Sequence, residues 1–211
     1  MKLVTILIPC FNEEQSLPLL YQSLNNVTDT ITDYEFEYLF INDGSKDHTL
    51  DILRTLHEQD ERVCYVDLSR NFGKENAMLA GFDYAKGDAV IIMDADLQHP
   101  PTLIPEMIAL WHDGEVQDVY AKRRVRGKES WIRKTLSLMY YKLLANATRF
   151  EILQNVGDFR LLDRQAIEAL RQLRETERYT KGMYCWIGFQ KKELLFDQQD
   201  RIAGSSKWNF S

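Results

Sequence analysis

The chain has 211 residues, 45% of them hydrophobic, enough for one α/β domain with a sizeable core. A net charge of −6 and a sequence pI near 5.3 exclude wholesale binding to nucleic acid, which depends on clustered Lys and Arg neutralising phosphates. Cys10, Cys64 and Cys185 lack CxxC spacing, so neither a disulfide framework nor a zinc site is indicated, and a reducing compartment fits. The apolar run Leu3–Ile8 is too short for a signal peptide. No later run approaches the roughly 20 apolar residues of a membrane span, so the chain as given is expected to be soluble.

Leu3–Ile8 reads as a buried strand, and Glu13–Leu24 as a helix capped by Asn12 with an acidic first turn. Glu37–Asn42 is the second strand, followed by a helix whose apolar stripe is Leu50, Leu53 and Leu56. Arg62–Asp67 is a third strand, Glu75–Ala85 a third helix and Ala89–Met93 a fourth, wholly apolar strand. This alternation predicts a Rossmann-like, mostly parallel sheet with helices on both faces, because parallel neighbours need crossover connections. The rest is less regular: a helix from Thr102, a short strand at Asp118–Ala121, a basic loop and a long amphipathic helix over Trp131–Thr148. A strand near Phe159–Leu162, a helix over Arg164–Leu173 and a strand at Lys191–Phe196 follow.

Ligands of open parallel sheets bind beyond the carboxyl ends of the strands. All four such ends are polar here: Pro9-Cys10-Phe11-Asn12-Glu13-Glu14, Asn42-Asp43-Gly44-Ser45-Lys46-Asp47, Ser69-Arg70-Asn71-Phe72-Gly73-Lys74-Glu75 and Asp94-Ala95-Asp96-Leu97-Gln98. Asp94 and Asp96 are two apart, so both point to one side if the backbone stays extended, and their repulsion is relieved by a cation. Mg²⁺ or Mn²⁺ suits them, being a hard ion held by one or two carboxylates and completed by phosphate and water. Asp43 can accept hydrogen bonds from a nucleoside, or simply serve its Asp-Gly-Ser turn. Lys74, beside Gly73 at a predicted helix start, is placed to meet a phosphate, as is Arg70. There is no GxxxxGK[ST] and no GxGxxG, which removes the usual ATPase and dehydrogenase phosphate cradles. The four histidines are scattered, with no evident catalytic triad.

Together these segments resemble the family 2 glycosyltransferases of the GT-A fold, and within them the polyprenyl-phosphate hexosyltransferases, the group of the bactoprenol glucosyltransferases and dolichol-phosphate mannose synthase. The similarity runs through Pro9–Leu17, Asn42–Thr49, Ser69–Gly81, Gly87–Gln98, Gly157–Arg164 and Arg201–Asn209. It implies one GT-A domain over residues 1–211, with a nucleotide-sugar half at 1–100 and an acceptor half at 101–211. The implied nucleotide-sugar set is Pro9, Phe11, Glu13, Asp43, Lys74, Asp94, Ala95, Asp96 and Gln98, with Asp94, Asp96 and Gln98 at the metal. Arg123, Arg133 and Ser137 are implied to face a lipid phosphate, and Arg201, Ser205 and Lys207 to lie in a segment closing over the site. Arg133 and Ser137 are also spaced i, i+4 on a predicted helix, so they can share one anion. Relatives in this group continue past Ser-Lys-Trp-Asn into two membrane helices, which implies that this chain is a truncated piece.

The implied activity is inverting transfer of a hexose, UDP-glucose being the first donor and UDP-GlcNAc the next, to undecaprenyl or another polyprenyl phosphate at the cytoplasmic face of the membrane, for cell-envelope glycosylation. Asp96 and Asp158 are the candidate catalytic pair; Asp158 either positions the acceptor or orders Arg160. A phosphate monoester is largely ionised at pH 7 and attacks without a strong base. Three other readings stay open: a transferase acting on a sugar or protein hydroxyl, a nucleotidylyltransferase, whose Gly-rich loop is replaced here by Phe11-Asn12-Glu13-Glu14, and a non-catalytic nucleotide-sugar-binding module. The basic stretch Lys122–Lys134 runs into an apolar stripe of Ile132, Leu136, Met139 and Leu143, which suits a membrane surface or a core helix equally. A homo-oligomer is compatible with the sequence, which does not determine the oligomeric state.

Overall fold

A computed structural model describes residues 1–124, 156–175 and 177–197. Strands β1 (Lys2–Cys10), β2 (Tyr34–Asn42), β3 (Val63–Asp67) and β4 (Ala89–Ile92) alternate with helices α1 (Leu17–Thr28), α2 (Thr49–Gln59) and α3 (Lys74–Tyr84). A 3₁₀ turn, Pro101–Leu103, leads into α4 (Ile104–His112), followed by β5 (Asp118–Arg123). Beyond the undescribed stretch come β6 (Val156–Asp163), α5 (Arg164–Gln172), α6 (Thr180–Trp186) and β7 (Lys191–Phe196).

The strands form one seven-stranded sheet in the order β3-β2-β1-β4-β6-β5-β7. Pairings β2–β3, β1–β2, β1–β4 and β5–β7 are parallel, whereas β6 runs antiparallel to both neighbours. The sheet is therefore mostly parallel, as expected, with one reversed strand. Alternation along β1 divides the core: Val4, Ile6 and Ile8 face Leu17, Leu20 and Leu24 of α1, Leu53 and Leu56 of α2, and Met107 and Trp111 of α4. On the other face Leu7 meets Ala77, Met78 and Phe82 of α3 and Ala166, Ile167 and Leu170 of α5. Both faces are covered, which is why β1, β2 and β4 read as almost continuous apolar runs.

The elements depart from expectation in four places. Helix α1 starts at Leu17 rather than Glu13, because Asn12 takes a left-handed backbone (φ 56°) and residues 13–16 form a turn closed by Ser16 and Leu17 N–H groups on the Glu13 carbonyl. Asn12 is thus no cap. The helix expected from Thr102 is split by the 3₁₀ turn before α4, whose first turn carries a proline. Helix α6 is not legible in the pattern, being seven residues long and carrying Gly182. The fourth is the reversal of β6, which strand-by-strand reading does not reveal. The helix expected over Trp131–Thr148 lies outside the described residues. Among the described residues no helix is long and apolar enough to cross a membrane.

The reversed strand is anchored by a buried ion pair. The Arg160 guanidinium donates to Asp118 Oδ2 at 2.9 Å, the two side chains being 2% and 1% exposed, and it lies 3.6 Å from the centroid of the Tyr184 ring. Removing one partner of such a pair strands an uncompensated charge, whereas replacing both with apolar groups is often near neutral. Asp118→Ala should therefore lower unfolding free energy by about 3–5 kcal/mol, and the double variant Asp118→Leu/Arg160→Met should recover most of that loss. Equilibrium denaturation of the single and double variants checks both expectations.

Candidate active site

The first two strand-end loops are laced together by backbone donors meeting short polar side chains. Asn12 N–H donates to Ser45 Oγ (2.9 Å), Glu13 N–H to Thr49 Oγ1 (2.8 Å), and Lys46 N–H to Asn12 Oδ1 (2.7 Å). Pro9, Phe11 and Glu13 are half-buried along this seam. Gly44 (φ 64°) brings the β2 loop against the β3 loop so closely that a Cβ there would stand 2.3 Å from the Arg70 carbonyl carbon. Only glycine fits that approach.

Asp43 exploits the closeness. Its two carboxylate oxygens accept from Phe72 N–H (2.7 Å) and Gly73 N–H (2.9 Å), and the side chain is 2% exposed. A carboxylate bound to backbone amides in this way fixes the loop rigidly. The loop then delivers Gly73 (φ 90°) and Lys74 to the start of α3. Arg70, by contrast, turns outward, donating to the Asn71 carbonyl at 2.9 Å and covering the Phe72 ring at 4.0 Å.

Lys74 is the meeting point of the site. Its ammonium lies 2.6 Å from Asp94 Oδ1 and 2.8 Å from Asp158 Oδ2. Burial disfavours its charged form, but the two carboxylates outweigh burial and hold the lysine above its ordinary range. Asp94 responds in kind: burial would raise it, yet the Lys74 ammonium keeps it below the usual carboxylate value. Asp158 reaches this point because β6 is reversed. The β4–β6 register pairs Ala89 with Asp163 and Ile92 with Arg160, and continuing it by two residues sets Asp158 beside Asp94. The other oxygen, Asp158 Oδ1, is buried without a hydrogen-bond partner among the described residues.

After β4 the chain does not stay extended as the two-residue spacing suggests. It turns at Ala95–Asp96, Leu97 adopts φ 63°, and Asp96 Oδ1 accepts from Gln98 N–H at 3.1 Å. A left-handed leucine is a strained conformation that persists only where its surroundings impose it. Ala95 and Asp96 are buried; Asp94 and Gln98 are half-buried.

His99 is a site residue that sequence reasoning missed, its signal being only its place directly after Gln98. Its Nδ1 accepts from Asp94 N–H at 3.0 Å, and its ring stacks on Phe159 at 4.8 Å. Burial pushes its pKa down, and with Nδ1 accepting, the ring is neutral. A second missed contact is Thr180, whose N–H (3.1 Å) and hydroxyl both donate to Glu75 Oε2, tying α6 to the first turn of α3 beside Lys74. Nothing in the local pattern signals a bond across so long a stretch of chain.

Among the described residues, no three His, Cys, Asp or Glu side chains form a ready-made metal cage. The hard oxygen donors Asp94 and Asp96 nevertheless fit Mg²⁺ or Mn²⁺, which takes one or two carboxylates and completes its shell from substrate phosphates and water. Arg123 is exposed at the end of β5. Arg133, Ser137, Arg201, Ser205 and Lys207 lie outside the described residues.

Comparison with known proteins gives the family and the fold. The description "Glycosyl transferase family 2" matches residues 5–171. CsbB of Bacillus subtilis (strain 168) is 46% identical over 99% of this chain and 63% of its own length. The bactoprenol glucosyl transferase of Shigella phage SfV is 39% identical over 98% of this chain and 66% of its own. The chain thus spans slightly less than two thirds of these relatives. Among solved structures, the mannosyltransferase PcManGT from Pyrobaculum calidifontis, in complex with GDP-Man and Mn²⁺, shares the fold with a TM-score of 0.67 at 18% identity, over 96% of this chain and 58% of that one. With the polar rim gathered on a mixed sheet of this architecture, the chain belongs to glycosyl transferase family 2 and has its GT-A fold.

Proposed function

We propose that the protein transfers a hexose from a nucleotide-sugar to polyprenyl phosphate with inversion at the anomeric carbon, UDP-glucose being the first donor to try and UDP-GlcNAc the next. One observation carries the reading: a carboxylate from the second half of the chain, Asp158, shares an ammonium with Asp94 from the first. A donor diphosphate and an incoming nucleophile would then meet at one charged centre. The name of the Shigella phage relative supports a lipid-linked acceptor and a glucosyl donor. The ligands of the P. calidifontis structure, GDP-Man and Mn²⁺, support a nucleotide-sugar and a divalent cation.

On this reading residues 1–100 hold the donor and the remainder the acceptor. Pro9, Phe11, Glu13 and Asp43 line the nucleoside. Each Asp43 oxygen keeps a second lone pair beyond its bond to the β3 loop. Lys74 offsets charge on the diphosphate, with Ala95 and Gln98 beside it. Asp94 and Asp96, with Gln98 near, would hold Mg²⁺ or Mn²⁺, which supplies electrostatic stabilisation of the leaving group. The acceptor phosphate is its own nucleophile, being largely ionised at pH 7. Asp158 then positions it and need not remove a proton. Arg123, together with Arg133, Ser137, Arg201, Ser205 and Lys207, supplies cations and a hydroxyl for that phosphate. Such an acceptor places the reaction at the membrane surface, on its cytoplasmic side.

A hydroxyl acceptor is the rival reading, favoured by Asp158 Oδ1, which has no partner among the described residues and keeps the lone pair a base would use. Nucleotide-sugars tested against short-chain polyprenyl phosphate and the matching alcohol, with product mass as readout, separate the two. The phosphate should be glycosylated and the alcohol inert, and equal reaction of the alcohol or of a simple sugar would overturn the acceptor assignment. Arg123→Glu should raise the acceptor KM about tenfold or more, a salt-bridging cation becoming a repelling charge, while slow hydrolysis of the donor alone stays near wild type. Asp96→Asn, similar in size but uncharged, should cut turnover by about 10²-fold or more while the melting temperature holds. Undiminished wild-type turnover in excess chelator would refute the cation assignment.

A further inference from the structure

Lys74 stands where a cation's ligand and a phosphate's partner coincide. Its ammonium is 2.6 Å from Asp94, one of the two carboxylates assigned to the cation, and it is held at the same time by Asp158 at 2.8 Å. Neither Lys74 nor Asp94 is sealed off, their side chains being 26% and 32% exposed, so a ligand can reach both. Beside Lys74, a Cβ built on Gly73 would meet no atom within 4 Å, leaving open space at the start of α3.

We propose that Lys74 makes binding of the divalent cation conditional on the nucleotide: its ammonium occupies Asp94 until a diphosphate arrives to receive it, and only then is Asp94 released to the cation. The inference rests on the donor reading given under Proposed function. A dication arriving alone must compete for Asp94 with an ammonium only 2.6 Å from its Oδ1, and displacing that ammonium leaves it with one carboxylate fewer, in surroundings where burial already disfavours its charge. A diphosphate removes that cost by presenting anionic oxygens within reach of a flexible, rotatable ammonium. Asp158 remains bound throughout and serves as the pivot, so Lys74 changes one partner without leaving the site. Binding linkage is reciprocal, so UDP must tighten Mn²⁺ by the factor by which Mn²⁺ tightens UDP.

The test is Mn²⁺ titrated into the chain with and without UDP, followed by calorimetry and by the EPR signal of free Mn²⁺. In the wild type, UDP should tighten Mn²⁺ about tenfold or more. Lys74→Met keeps length and removes charge; it should bind Mn²⁺ alone about tenfold tighter than wild type, with its UDP coupling reduced to about threefold or less. Lys74→Arg should restore the coupling. The inference is overturned if folded Lys74→Met binds Mn²⁺ alone no more tightly than wild type. It is equally overturned if wild-type Mn²⁺ affinity is the same with and without UDP, a result that leaves the donor reading standing. Wild type that binds no Mn²⁺ even with UDP overturns the donor reading itself. Should Lys74→Met not fold, Lys74→Gln takes its place with the same supporting and overturning outcomes, and the wild-type linkage with UDP still decides.

Discussion

The site depends on the direction in which β6 enters the sheet. Six strands point their carboxyl ends at one rim, and the first residues of the seventh arrive there only because it runs the other way. The β4–β6 register carries Asp158 to Asp94, and the bulge between Tyr120 and Lys122 absorbs the shift on the β5 side. The Arg160–Asp118 pair, fully buried under the Tyr184 ring, gives that entry a cost of failure. A strand that missed its register would leave both charges unpaired inside the protein.

Charge balance follows from the same arrangement. Asp94, Asp96 and Asp158 crowd one rim, and within the described structure the Lys74 ammonium answers two of them. Such a centre is pre-organised for ligands that bring both signs of charge. A nucleoside diphosphate with a divalent cation does so, and either component alone leaves a partner unsatisfied. His99 contributes without adding charge, holding the Asp94 amide while its neutral ring packs on Phe159, the residue after Asp158. Asp94 and Asp158, from the two halves of the chain, are thus linked twice, once by an ion pair and once by packing.

Rigidity in the loops is what makes this placement reproducible. Asp43 spends both oxygens on the amides of Phe72 and Gly73, and Gly44 lets the two loops touch. Loops normally carry mobility, but here side-chain acceptors take the place of a β ladder. A rim whose backbone is held by such bonds can vary its outward side chains, and with them its ligands, without losing the fold.

What the sequence determined by itself was local. The apolar runs of β1, β2 and β4, the stripe of α2 and the four polar strand ends are each written within a dozen residues, and the pairing rules for parallel strands follow from the alternation. Lys74, Asp94 and Asp96 were therefore legible as candidate site residues, and the resemblance added Asp158 as another; the structure joins Lys74 to Asp94 and Asp158. The start of α1 escapes a local reading because Asn12 and Glu13 are occupied by partners in the next loop and at the start of α2 rather than by their own helix. Only the tertiary structure decided that Asp43 serves the β3 loop, that Lys74 joins Asp94 to Asp158, and that His99 and Thr180 belong to the site. Each of these bonds unites groups that share no periodicity, and most join segments far apart in the chain. Their existence depends on strand order and direction, which are set by how the whole core packs.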